Sequence, residues 1–157
     1  MLVDIFTTDS DWILTISRIV LGVIFFAHGG QKLLGWFQGP GLKATVREMT
    51  DHVGLPPLLA LTAVGVEFFG GIALILGLFG RIAALGIGVV MLFAIVIVHG
   101  RYGLFLNWFG ERKGHGYEYH LLAIALAIVI IVRGSGALSL DRLVYLAIGS
   151  ITWPPAV

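Results

Sequence analysis

Six ionisable side chains lie where the surrounding sequence is apolar, and their types could do proton chemistry. Glu67 stands in VGVEFFGG, ten residues into the apolar run 57–78. His28 stands in FFAHGGQKLLGWF, His99 closes a third apolar run, and Glu118 and His120 open a fourth in YEYHLLA. Arg18 lies near the start of the first run. At 1.5 Å per helical residue, Glu67 is roughly 15 Å and His28 roughly 9 Å from the same end of their runs. His28, Gln31 and Lys32, at i, i+3 and i+4, form one polar stripe.

Three chemistries fit this set. An aromatic slot with a donor near each carbonyl suits a quinone or a similar small molecule, and histidine exchanges protons near neutral pH. In that reading Glu67 and His28 are the catalytic, proton-exchanging pair. His99, His120, Lys32, Gln31 and Trp108 would contact the substrate, with Lys32 and Gln31 at the mouth. Alternatively His28, His99, His120 and Glu67 could ligate a metal or haem iron, although no HxxxH or HExxH spacing is present. The third reading is hydrogen bonding between helices that stabilises packing and nothing more.

The elements that must position these residues are four apolar segments, about 12–34, 57–78, 81–99 and 117–132. Each approaches the roughly 20 residues that cross a bilayer core, the fourth being short. The sequence predicts an all-α membrane protein: a single domain over 1–157 built as a four-transmembrane-helix bundle. Residues 41–53 place Leu42, Val46, Met49 and Val53 on one face, which predicts a short interfacial helix in the first long loop. Trp36, Phe37, Tyr102, Trp108 and Phe109 fit an aromatic belt. In the tail 134–157, the apolar stretch Val144 to Ile151 is too short to span and should lie against the bilayer or the bundle. Ionisable groups in a bilayer face protein or water, so His28 should look inward toward Glu67. A partner for Glu67 must come from another helix, and Arg18 must snorkel or pair.

Composition supports a lipid environment. Of 157 residues, 58% are hydrophobic and 12% charged, half the usual charged share of about 25%. Net charge is +1, so no basic footprint for nucleic acid exists. With no cysteine, disulfides, thiol relays and thiolate-held clusters are excluded. The acidic start MLVDIFTTDSDW lacks the basic region of a cleaved signal peptide.

With four spans, both termini share one side. Arg18, Arg81, Arg133 and Arg142 then lie there, against Lys32, Lys43, Arg47, Arg101, Arg112 and Lys113 on the loop side, too even a split to orient the chain. A weak repeat relates Arg18, His28 and Trp36 to Arg81, His99 and Trp108, at unequal intervals. Small residues four apart, Gly80, Ala84 and Gly88, and Ala123 and Ala127, allow close helix approach within the chain or between copies.

The segments RIVLGVIFFAHGGQKLLGWF, GLPPLLA, VGVEFFGGIALILGLFGR and YEYHLLAIALAIVIIVRGSGALSLDR together resemble the DoxX family of small four-helix bacterial and archaeal membrane proteins. The resemblance spans about Arg18 to Arg142. It rests on Gly29, Gln31 and Lys32, on Glu67 with its glycine-rich run, and on Ser139 to Asp141. It implies a multi-pass protein of the bacterial inner, or cytoplasmic, membrane. Related members are linked to thiosulfate:quinone oxidoreductase, quinol oxidase complexes, redox-stress assemblies and resistance to catechols and quinones. The expectation is therefore a membrane subunit of a quinone-linked oxidoreductase, with quinone as cofactor and a soluble redox partner on the long-loop side, in a homo- or hetero-oligomer. Two other classes are a non-catalytic membrane anchor or scaffold for such a partner, and a small oligomeric proton-coupled transporter with Glu67 as carrier.

Overall fold

The computed structural model describes residues 3–110 and 113–152; Arg112, among the loop-side cations counted above, lies outside them. The first long helix, α1, is Trp12–Leu34. Asp11 caps it, its Oδ1 accepting from the amides of Ile13 at 2.7 Å and Leu14 at 3.3 Å. It ends where Gly35 turns left-handed at φ 75°. A 3-10 turn at Trp36–Gln38 leads to α2, Gly41–Asp51. Helix α3, Pro57–Leu76, opens on the proline pair and stops at left-handed Gly77.

Helix α4, Gly80–Ala94, follows after three residues. It runs on through a π-helical turn at Ile95–His99 and a 3-10 turn at Gly100–Tyr102. Helix α5 is Glu118–Arg133 and α6 is Leu140–Thr152. Among the described residues the regular structure is thus six helices. The apolar stretch near the C-terminus forms part of α6, which begins four residues earlier, at Leu140, where the Ser139 hydroxyl accepts from the Arg142 amide at 3.2 Å.

Three helical stretches are long and apolar enough to cross a bilayer: Trp12–Leu34, Pro57–Leu76 and Gly80–Tyr102. The 16 residues of α5 reach about 24 Å, short of the roughly 30 Å hydrocarbon core. The outward faces are apolar: Ile13, Ile16, Val20 and Val23 on α1, and Leu85, Val89, Leu92 and Val96 on α4, are exposed. In water such faces would be an aggregation hazard; in lipid they are the solvated surface.

The helices pack in two close pairs, α1 with α3 and α4 with α5. Glycine sets the first. A Cβ on Gly29 would lie 2.5 Å from the Phe68 backbone, and one on Gly71 would lie 2.4 Å from the Phe26 amide nitrogen. The second is an alanine and isoleucine seam, with Ala84, Ile87, Ala123, Ala127 and Ile130 buried. The small-residue stripes therefore serve contacts inside this chain.

One end of the bundle is tied by charged side chains capping helix ends that belong to other helices. Arg18 is 1% exposed and donates to the final-turn carbonyls of α3, to Leu74 O and, at 2.9 Å, to Ile75 O. It also donates to Ser135 O at 2.7 Å and Leu138 O at 2.6 Å. Arg18 therefore does not snorkel; backbone carbonyls are its partners. Arg81 of α4 does the same for α5, donating to Ile131 O and, at 3.0 Å, to Val132 O. Asp141 is the opposite cap. Its carboxylate accepts from the amides of Phe79 at 2.7 Å and Gly80 at 2.9 Å, at the N-terminus of α4, and from Ser135 Oγ at 2.6 Å. A cation at a helix C-terminus and an anion at an N-terminus both complement the helix dipole.

Candidate functional site

At the other end of the bundle, Glu67 of α3 is 3% exposed. Its partner comes from another helix, as its isolation in sequence requires: Lys32 Nζ of α1 lies 2.6 Å from Glu67 Oε1. Lys32 stands on the Gly29 side of α1, three residues on, so the glycine seam that brings α3 close also brings the ammonium to the carboxylate. The backbone of Lys32 is held from α2, where the buried Thr45 hydroxyl donates to Lys32 O at 3.3 Å. Lys32 is thus the counter-ion of Glu67, with its own side chain still 29% exposed. The second oxygen, Glu67 Oε2, is buried and makes no hydrogen bond to the described residues.

The same holds for two groups on α5. The Tyr119 hydroxyl and His120 Nδ1 are buried without a hydrogen-bond partner among the described residues. Tyr119 packs on Phe25 of α1, ring centroids 6.4 Å apart, and beside His120 at 5.5 Å. Lys32 and His28, one turn apart on α1, meet Glu67 and the Tyr119 ring respectively, which brings these groups to the same end of the bundle. His99, in the π turn of α4, stacks on His120 with centroids 4.2 Å apart. His99 Nδ1 is 2.8 Å from His115 O. A carbonyl only accepts, so Nδ1 carries the proton and Nε2 is left as the acceptor of the neutral ring.

The loop segment 103–106 is fastened to the start of α5. The Glu118 carboxylate accepts from the Leu106 amide at 3.2 Å, and the Glu118 amide donates to Leu104 O at 2.9 Å. Glu118 therefore serves the loop while His120 points into the bundle, consistent with their opposite bearings on the helix.

Two expected residues lie elsewhere. His28 is exposed on the outside of α1, its ring 5.9 Å from that of Tyr119; it does not look inward toward Glu67. The reason is helical phase: His28 is about 100° from Gly29, whose Cα fixes the α3-facing seam. Trp108 is 76% exposed at the loop surface. Gln31 is half-buried, its backbone and Cβ packed against Gly39. Tyr119, flanked by stronger polar residues in YEYHLLA, was not singled out by sequence. Its i+3 and i+4 neighbours Leu122 and Ala123 gave no sign that its hydroxyl is buried.

The site is closed. A cavity of about 480 Å³ lies between α2 and α3, lined by Leu42, Lys43, Val46, Pro57, Leu58 and Leu61, and one of about 100 Å³ lies near Asp11 and Arg133; neither touches the polar cluster. Among the described residues, no group of three His, Cys, Asp or Glu side chains is arranged to hold a metal ion.

Apolar spans around a small buried polar cluster define a class of integral membrane protein, and comparison with known sequences gives the family. The DoxX family model matches residues 13–100, more than half of the chain, and this protein belongs to the DoxX family. It is 29% identical over 128 residues to CatD of Bacillus subtilis (strain 168), provisionally named an oxidoreductase, covering 82% of this chain and 84% of that one. An uncharacterized Haemophilus influenzae protein is 33% identical over 133 residues, covering 83% and 90%. The inner membrane protein YqjF of Escherichia coli (strain K12) is 24% identical over 128 residues, covering 82% and 88%. No solved structure matches.

Proposed function

We propose that this protein is the membrane subunit of a redox complex and that it holds a quinone or quinol against the Glu67, Tyr119 and His120 cluster. One observation carries the reading: three polar atoms on two helices, Glu67 Oε2, Tyr119 Oη and His120 Nδ1, are buried at one end of the bundle without partners among the described residues. Each such atom costs about 1–3 kcal/mol unless something bonds it. The set matches a ligand with oxygens at both ends of a flat apolar ring. Glu67 Oε2 accepts a quinol O–H, Tyr119 donates to a quinone carbonyl, and the imidazoles of His120 and His99 take or return the proton. Lys32 pairs with Oε1 of Glu67 and so fixes which oxygen is free. The name of the Bacillus relative and the family's association with quinone chemistry favour a redox role.

In this reading α5 is the fourth span, its short length met by local thinning and by Tyr117 and Arg133 at its ends. The protein sits in the inner membrane with the loops 35–56 and 103–117 on one face, where a soluble redox partner docks. The test is to purify the protein in mild detergent and extract its lipids. Quinone should be recovered with the unsubstituted chain and lost with Glu67→Gln. Recovery of quinone in equal amount from both would remove Glu67 from the site. Recovery from neither, with normal folding, would leave the cluster as packing alone.

A further inference from the structure

We infer that the polar cluster opens sideways into the bilayer, between α1 and α5, and that His28 and Tyr119 form the portal through which a lipid-dissolved ligand enters. The inference rests on the reading of the cluster as a ligand site and adds the route to it. Three observations carry it. First, His28 is the exposed member of the ionisable residues of α1; Arg18 is buried and Lys32 is tied to Glu67. It lies roughly 9 Å inside the end of α1, exposed on the flank of the helix beside the buried Leu21, and away from the arc that carries Ile16, Val20 and Val23. An ionisable side chain on a lipid-facing surface is expensive and calls for a role.

Second, His28 is next to the site. Its ring meets Tyr119 at 5.9 Å and an interplanar angle of 57°, and the hydroxyl of the same tyrosine is one of the buried atoms without a partner. The path from the outer surface to the cluster is therefore two rings deep. Third, the other routes are closed by strong contacts. Gly29 and Gly71 bring α1 against α3 with no room for a Cβ, Ala84, Ala123 and Ala127 close α4 against α5, and the loop segment 103–106 is pinned to the start of α5 by Glu118. The α1 and α5 seam has instead the ring contacts of His28 and Phe25 on Tyr119. Aromatic side chains turn about χ1 and χ2 without moving either helix backbone. In the closed state the rings cover the cluster; turned outward, they admit a flat ring, with the His28 imidazole meeting an arriving oxygen first.

The test places a nitroxide spin label at His28→Cys in lipid nanodiscs, which is clean because the chain has no other cysteine. Val23→Cys, exposed on another side of α1, is the control, and Leu122→Cys, one turn along α5 from Tyr119 and 65% exposed, reads the portal from its other side. All three labels should collide with oxygen, which partitions into lipid, and not with a water-soluble nickel complex. Decylubiquinone should immobilise the labels at 28 and 122 and leave that at 23 unchanged. His28→Trp should slow decylubiquinone association and release together, each by about tenfold, with Kd unchanged, because a gate changes both rates alike. Nickel reaching position 28 as readily as a label at Lys43 would overturn the portal. So would saturable, Glu67-dependent binding that leaves 28 and 122 unaffected, and here the ligand site would stand. If the unsubstituted protein binds no decylubiquinone at all, both the site reading and the portal fall.

Discussion

The Lys32 and Glu67 pair shows how one buried charge dictates the behaviour of its neighbours. An ion pair out of water is held only while both partners are present; losing one leaves an uncompensated charge. Lys32→Met should therefore lower stability by about 3–5 kcal/mol, measured by denaturant unfolding in detergent, and Glu67→Leu in that background should recover most of the loss. Glu67→Leu alone should also fail to bind quinone. Tyr119→Phe should leave folding intact and weaken decylubiquinone binding by about tenfold, the worth of one hydrogen bond of roughly 1.4 kcal/mol; unchanged affinity would remove the phenol from the site. At this scale the sequence was partly legible. The depth of Glu67 required a partner from another helix, and Lys32 supplies it. The inward aim of His28 was misjudged, because polarity says that a side chain avoids lipid, whereas helical phase against Gly29 decides where it points.

Helices in this protein are finished by residues far away in sequence. Asp141 on α6 caps α4, Arg18 on α1 caps α3, and Arg81 on α4 caps α5. Such caps leave no local signature. SLD at Ser139 to Asp141 stood out in the sequence as a family likeness, and its physical meaning appears only when Asp141 meets Phe79 and Gly80. Asp141→Ala should cost about 1–2 kcal/mol, the usual worth of an N-cap, and should raise the hydrogen-exchange rates of the Phe79 and Gly80 amides ahead of those in α1. Phe79 itself has φ 51°, so the same substitution removes a contact that holds a non-glycine residue left-handed. Close helix approach was better legible. Gly29→Leu should separate α1 from α3 and break the Lys32 to Glu67 contact. Gly65→Ala, where an added Cβ meets nothing within 4 Å, should be neutral or stabilise by about 0.5–1 kcal/mol.

Across the whole molecule the two close pairs repeat one plan. In each, the first helix sends an arginine to cap the second helix at one end of the bundle, and a polar side chain to meet it at the other. Arg18 and Lys32 are fourteen residues apart, and Arg81 and His99 eighteen; Glu67 is seven residues before Leu74, and His120 eleven before Ile131. Both second-half intervals are four longer, one helical turn, so the histidine pair lies a turn farther out than the ion pair. The counterpart of His99 is therefore Lys32, where matching residue types had suggested His28. The repeat was faint in sequence because equivalent positions hold different chemistry. The proposed four spans predict that cysteines introduced near Asp9 and near Arg142 react with a membrane-impermeant reagent from one side, and cysteines near Lys43 and Phe109 from the other.

The π turn at Ile95–His99 gives α4 one residue more than its α-helical ladder can hold. That spare residue is absorbed as a local widening, so the helix keeps one phase on either side of the turn. Deleting one residue between Ile95 and Val98 lets the turn relax to ordinary α geometry and leaves His99 on the side that faces His120. Adding one residue within Gly80–Ala94, where the ladder is already α-helical, has no such slack and swings His99 by about 100° away from His120. The imidazole stack should therefore survive the shorter run and dissolve with the longer one.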